Sequence, residues 1–337
     1  MDPVPTDRSR PTTRSDVARL AGVSTAVVSY VVNGGPRGVA PATRDKVLRA
    51  IEVLHYHPNS SARALKRGAT QLLGVVVPDI ENPFYSEFVG AIDAAAHSRD
   101  RSMLLALTHK DPEREFEMIT NLVDRGVDGL LVLAFLHSKK SYAIADTWVP
   151  RVVIHEAAVG HAFPIVGPDL SQGAEVATRH LIDHGHSRIA YIGGGMPAPR
   201  IDYRRIAWES VLNRDGLSPD AYALTTWDRR GGSEGTRRLL QQESPPTAIL
   251  AGSDLIAIGA LRTIHEMGLR CPEDIAVISI DGTSESQFSW PALTTVRQPF
   301  EEVSAVALDT LLTPGDRPAS QILPMTMIIR SSCGCQK

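Results

Sequence analysis

Residue types able to do chemistry follow apolar runs that read as strands. Phe84 and Tyr85 come after Leu72–Val77, Asp169 after Pro164-Ile165-Val166, and Arg205 after Gly193-Gly194-Gly195. Trp227 follows Thr225-Thr226, Asp254 follows Ala248–Leu250, and Asp281 follows Ile278–Ile280. Carboxylates, an arginine and aromatic faces converging on one cleft suit a sugar or another small polar metabolite. Taken singly, an Asp after a strand is more often a helix cap or turn residue, and Trp227 can be simple core packing. No nucleophile, metal cluster or acid–base carboxylate pair emerges, so neither an enzyme nor a cofactor is expected. The triple glycine matches neither G-x-G-x-x-G nor the Walker arrangement. Cys271, Cys333 and Cys335 fit no structural zinc spacing. The last two allow a disulfide or a bound metal, but an exposed, unpaired tail is the ordinary reading; no metal is expected.

The elements that hold these residues alternate. Strand-like runs at 72–77, 102–107 and 128–133 are separated by helical stretches carrying Phe88, Val89, Ile92 and Ala96, then Phe116, Ile119, Leu122 and Val123. A second alternation begins near Arg188 and runs to Ile280. Continuous apolar runs are strands buried on both faces, and repeated βα units imply parallel sheets. Two consecutive sets predict two doubly wound α/β lobes with a cleft between them, its ligand at the carboxyl ends of the strands.

The first seventy residues differ in kind. They hold eleven Lys/Arg and five Asp/Glu, a net +6, against −9 for the remainder. A basic head on an acidic body is the distribution of a chain with one end on a polyanion. Thr13 caps a helix, with Asp16 completing a capping box and Val17, Leu20 and Ala21 facing inward. Gly22 stops it, and Ser24 caps a second helix with Val27, Val28 and Val31 inside. After Asn33-Gly34-Gly35-Pro36, a third opens at Pro41 and presents Val47, Leu48, Ile51 and Leu54. The pattern fits a helix-turn-helix, whose second helix would offer Thr25, Ala26, Ser29 and Tyr30 to base edges. It fits equally a small bundle that binds nothing. Residues 59–70 have one large hydrophobe, Leu65, among basic residues, as suits a minor-groove element with an apolar wedge.

The run Thr13–Ser24, then Val27-Val28-Ser29, Val31-Val32-Asn33, Thr43-Arg44, His55–Asn59 and Ala62–Leu65, resembles the headpiece of the lactose/galactose repressor (LacI/GalR) family. In the body, His180–Ala190, Asp254–Ala260 and Pro291–Gln298 resemble the same family, whose effector domain is similar to type I periplasmic sugar-binding proteins. The resemblance implies an all-α helix-turn-helix headpiece with a hinge helix, behind which lies a two-lobed α/β periplasmic-binding-protein-like domain. It divides the chain into a disordered tail (1–11), headpiece (12–57), hinge (58–70) and effector and dimerisation domain (71–337). DNA contacts would fall to Thr13, Ser24, Thr25, Ala26, Ser29, Tyr30, Asn33, Tyr56, Asn59, Arg63, Leu65 and Lys66. Leu65 would be the wedge. The effector pocket would be lined by Phe84, Tyr85, Asp169, Arg205, Trp227, Asp254 and Asp281. Ala40 stands where relatives often have a capping serine, and Tyr30 where they often have Arg or His. Gly282 and Trp208-Glu209 also depart from the family pattern, so neither base preference nor effector carries over.

The resemblance thus implies a transcription regulator, expected to repress, whose affinity for a pseudo-palindromic double-stranded operator is set by a small-molecule effector, a sugar or related metabolite. A transport-type binding protein would share the body but would have no use for residues 12–67. A homodimer is expected, since no coiled-coil tail follows Arg330. The polar start of the chain is no secretory signal, and no eighteen-residue apolar run offers a membrane span, so a cytoplasmic location is expected.

Overall fold

The computed structural model describes residues 12–33, 38–57, 64, 68–133, 149–154, 163–195, 201–313 and 320–335. The chain divides into two compact units, 1–70 and 71–337.

In the first unit, helices α1 (Arg14–Ala21), α2 (Thr25–Asn33) and α3 (Pro41–Val53) surround a small core. The capping box forms: the Asp16 carboxylate accepts from the Thr13 N–H at 3.0 Å, and the Thr13 hydroxyl oxygen accepts from the Asp16 N–H at 3.4 Å. Gly22 takes φ +66°, a conformation that costs a residue with a Cβ. This turns α2 by 106° from α1, within the range of a helix-turn-helix. Val17, Ala18, Val28, Val31, Val47, Ala50 and Tyr56 fill the interior. Leu20 and Leu48, expected inside, are exposed; Ala18 and Ala50 take the inward positions, because short helices packed this closely admit small side chains. Ala40 precedes α3 without a side-chain capping bond.

The second unit contains two six-stranded sheets. The first lobe has strands β1 (Leu72–Val77), β2 (Ser102–Leu107), β3 (Gly129–Val132), β4 (Arg151–Ile154), β5 (Ile165–Pro168) and β11 (Ser320–Leu323). Their order is β11-β5-β4-β3-β1-β2, all parallel. Helices α4 (Pro83–His97), α5 (Pro112–Asp124) and α11 (Phe300–Leu312) belong to this lobe. The second lobe has β6 (Ile189–Gly194), β7 (Tyr222–Thr225), β8 (Ala248–Ala251), β9 (Ala276–Asp281), β10 (Thr294–Arg297) and β12 (Thr326–Ile328). Their order is β12-β10-β9-β8-β6-β7, with β12 antiparallel. Its helices are α6 (Leu170–Asp183), α7 (Tyr203–Arg214), α8 (Arg229–Leu240), α9 (Asp254–Glu266) and the short α10 (Glu285–Phe288).

The chain passes between lobes after β5, after β10 and after β11. These crossovers are tied together: the Asp169 N–H donates to the Leu323 carbonyl at 2.7 Å, and the Met325 N–H donates to the Gln172 side chain at 3.0 Å. The described residues near the end of the chain pack against the second lobe. Cys333 is buried against the second sheet, because the backbone and hydroxyl of neighbouring Ser332 bond into β9 and β10. Among the described residues, no single helix is long and apolar enough to cross a membrane.

Candidate functional site

The outward face of α2 follows from its inward one. With Val28 and Val31 buried, Thr25, Ala26 and Asn33 are exposed and Ser29 and Tyr30 half-buried. The Asn33 amide donates to the Ser29 hydroxyl at 3.2 Å, one turn away. Ser24 accepts from the Val27 N–H and so serves the helix start, as Thr13 serves that of α1. Tyr56, expected to meet DNA, instead lies in the headpiece core at 7 % exposure; its ring closes the end of the three-helix interior. Asn59, Arg63, Leu65 and Lys66 lie outside the described residues.

The strand ends of the second lobe bring together a buried cation and two buried carboxyls. The cation is Arg204, not Arg205. Arg204 is 4 % exposed; its Nε donates to Asp202 at 3.0 Å, and its guanidinium lies 4.4 Å over the Trp227 ring. Arg205 turns to the outer side, where it pairs with Glu209 one turn on at 2.6 Å. The helical period decides this. Arg204 shares the inward face of α7 with Trp208, Val211 and Leu212, positions three to four residues apart. Asp202 is held by the Tyr191 hydroxyl at 2.6 Å. Sequence reasoning missed Arg204, Asp202 and Tyr191, although the spacing from Arg204 to Trp208 carried the signal. The triple glycine admits rings, not phosphate: a Cβ on Gly194 would meet the Trp227 ring at 2.1 Å.

Asp281 ends β9 at φ +128° and 5 % exposure. Burial, and then the neighbouring charge of Asp254, push its carboxyl well above the usual range, while Arg204 and Gln298 draw it back. Gln298, on the crossover after β10, donates its side-chain amide to Asp281 at 2.8 Å and its backbone N–H to the Asp281 carbonyl at 2.9 Å. Asp254 has the opposite character. Both of its oxygens are taken up by the protein: the Ser279 hydroxyl, the Thr283 N–H and hydroxyl (2.7 Å each) and the Thr295 hydroxyl (3.0 Å). Burial raises its carboxyl, and these bonds oppose the rise. Asp254 therefore knits β9, β10 and α9 together behind Asp281.

In the first lobe, Phe84 and Tyr85 open α4 at the carboxyl end of β1 and are largely buried, packing edge-on at 5.0 Å. Phe84 also meets Phe88 and Phe300. Asp169 caps α6, accepting from the Gln172 N–H at 2.9 Å. The two lobes also meet at Glu87 on α4, which accepts from both the N–H (2.8 Å) and the hydroxyl (2.7 Å) of Ser284 in the second lobe. The site thus has donors, acceptors and aromatic surface at the strand ends of two lobes, joined by crossovers. That arrangement has the chemistry to hold a small polar molecule.

Residues 13–59 match the family described as bacterial regulatory proteins, lacI family, and residues 178–333 match a periplasmic binding protein-like domain. The chain is 35 % identical to the ribose operon repressor of Escherichia coli (strain K12), over 92 % of this chain and 94 % of that protein. It is 34 % identical to catabolite control protein A of Priestia megaterium, over 88 % and 90 % respectively. A solved structure of the lac repressor dimer bound to operator and the anti-inducer ONPF superposes with a TM-score of 0.86 at 29 % identity, covering 96 % of this chain and 99 % of that one. The chain belongs to the LacI family of bacterial regulatory proteins and is a DNA-binding transcriptional regulator under small-molecule control.

Proposed function

We propose that this regulator is a cytoplasmic homodimer that represses from a pseudo-palindromic operator and is released by a sugar-like effector. The tail, headpiece, hinge and effector segments divide as the family resemblance implies (1–11, 12–57, 58–70 and 71–337). Thr25, Ala26, Ser29, Tyr30 and Asn33 read the major groove, Asn59, Arg63 and Lys66 add contacts beyond the headpiece, and Leu65 enters the minor groove at the operator centre. The observation that carries the effector reading is the buried Arg204 within electrostatic reach of Asp281, which is itself bonded to the crossover residue Gln298. A neutral polyhydroxylated ligand satisfies both groups at once: its hydroxyls donate to the carboxyl and accept from the guanidinium. Trp227 braces the guanidinium, and Phe84 and Tyr85 close the opposite wall. Ligand contact at Asp281 then bears on a crossover, and through it on the relation of the lobes. A ligand shifts such an equilibrium only by its differential affinity for the two states, commonly about 1–3 kcal/mol.

The test pairs two adjacent arginines. Free pentoses, hexoses and nucleosides are screened by thermal shift, and the best ligand is titrated against wild type, Arg204→Ala and Arg205→Ala bound to operator. Losing a charged hydrogen bond costs about 1.5–3 kcal/mol, so Arg204→Ala should need roughly 10- to 100-fold more ligand for release while binding operator normally. Arg205→Ala should respond as wild type. An unchanged response in Arg204→Ala, or a lost one in Arg205→Ala, refutes the assignment.

A further inference from the structure

The end of the chain meets helix α6 in a set of soft metal ligands. His180 lies in the last turn of α6 and His184, four residues on, is its C-cap, the spacing that puts two side chains on one side of a helix end; their rings are 4.6 Å apart centroid to centroid. The Cys335 sulfur lies 3.4 Å from Nε2 of His180 and 3.3 Å from Nε2 of His184. The buried Cys333 completes the group: its sulfur, that of Cys335 and a ring nitrogen of His180 all lie within 4.8 Å of one another. Tetrahedral zinc, with bonds of about 2.3 Å to sulfur and 2.0–2.1 Å to nitrogen, sets neighbouring sulfur and nitrogen ligands about 3.5 Å apart. Both sulfur–nitrogen distances at Cys335 already stand near that value. Two sulfurs and two nitrogens select zinc over hard cations such as magnesium or calcium.

We propose that His180, His184, Cys333 and Cys335 form a structural zinc site that fastens the chain end to the last turn of α6. Zinc forms two bonds to sulfur and two to nitrogen, and each thiol gives up its proton to solvent as it ligates. The Thr294 hydroxyl donates to the Cys333 sulfur at 3.1 Å, the kind of outer-shell bond that orients a thiolate. Because α6 begins at Asp169, on the crossover after β5, the metal holds one connection between lobes firmly to the second sheet. The cysteines are close in sequence but the histidines lie some 150 residues earlier, so spacing along the chain does not reveal the set.

The full chain is purified in reductant, stripped with chelator and titrated with zinc against a chromophoric competitor. One equivalent per chain should bind and raise the melting temperature. Losing an outer-shell partner typically costs about 10–100-fold in metal affinity, so Cys335→Ser and His184→Ala, which remove ligands, should lose at least that much. Cys271→Ser should bind as wild type. Cobalt in place of zinc should give a thiolate charge-transfer band that Cys335→Ser weakens. Sub-stoichiometric zinc in the fully reduced chain overturns the site, as does full affinity in Cys335→Ser. Oxidation to a Cys333–Cys335 disulfide supports it only if reduction restores zinc uptake; a reduced chain that still takes up no zinc refutes it.

Discussion

At the scale of single residues, Asp281 carries a cost of burial. Asp281 is buried beside Asp254, and its carboxyl is raised well above the usual range. A carboxyl raised on folding binds its proton more tightly in the folded chain than in the unfolded one. Its contribution to stability is therefore complete below about pH 4 and is lost as pH climbs towards the folded value. Asp281→Asn removes the charge, keeps the shape, and tolerates the positive φ. It should stabilise the ligand-free protein at neutral pH by about 1 kcal/mol, or roughly 2–4 °C, while blunting the effector response. Melting curves at pH 7 and pH 4 check this: the gain should shrink at the lower pH, and equal melting at pH 7 would contradict it. The arginine shows how far residues can be read before a structure. The rule that ligands sit at strand ends points to the first turn of α7, but it does not fix which of two adjacent arginines faces inward. Only the helical period through Trp208, Val211 and Leu212 does that. Tyr56, named as a DNA contact only through the family resemblance, has its ring in the headpiece interior.

At the scale of elements, the strands that run as unbroken apolar segments were legible, as was their parallel order, because burial on both faces leaves a mark on composition. Arg151–Ile154, Thr294–Arg297 and the last two strands were not. Ser320–Leu323 alternates exposed and half-buried residues at a sheet edge, and Thr326–Ile328 has three residues. Edge strands draw their partners from another part of the chain, so local pattern says little about them. The crossovers they complete are the covalent links between the lobes. Gln298 touches Asp281 through both backbone and side chain. Gln298→Ala leaves the Asp281 carboxyl and Arg204 in place but cuts the side-chain link. Effector affinity should stay within about 5-fold, the scale of one hydrogen bond worth about 1 kcal/mol. The effector's power to displace operator should fall by more than that. Calorimetry on the ligand and anisotropy on a labelled operator separate the two quantities; parallel losses in both would mean that Gln298 only shapes the pocket.

At the scale of the whole molecule, the surface carries aromatic groups that a lone chain has no reason to expose. Trp290 is 94 % exposed and Phe288 82 %, at the end of the short helix α10 in the second lobe. Large apolar side chains at one place mark a protein contact, and tryptophan is prominent among residues whose loss costs an interface about 2 kcal/mol or more. The natural partner is a second copy, because one headpiece covers too little DNA for high specificity and two related by symmetry match a pseudo-palindrome. Replacing Trp290 with a charge asks the interface to bury an unpaired carboxylate. Trp290→Glu should therefore sediment as a monomer at concentrations where wild type is a dimer. The effector pocket lies within one chain, so ligand affinity should be nearly unchanged. Operator affinity should fall towards that for random duplex, a loss on the order of 10³-fold or more, while random-duplex binding, which rests on phosphate contacts, should change little. A variant that remains dimeric places the interface elsewhere. A monomer that still binds operator at wild-type affinity shows that one headpiece suffices and refutes the paired-headpiece reading of this regulator.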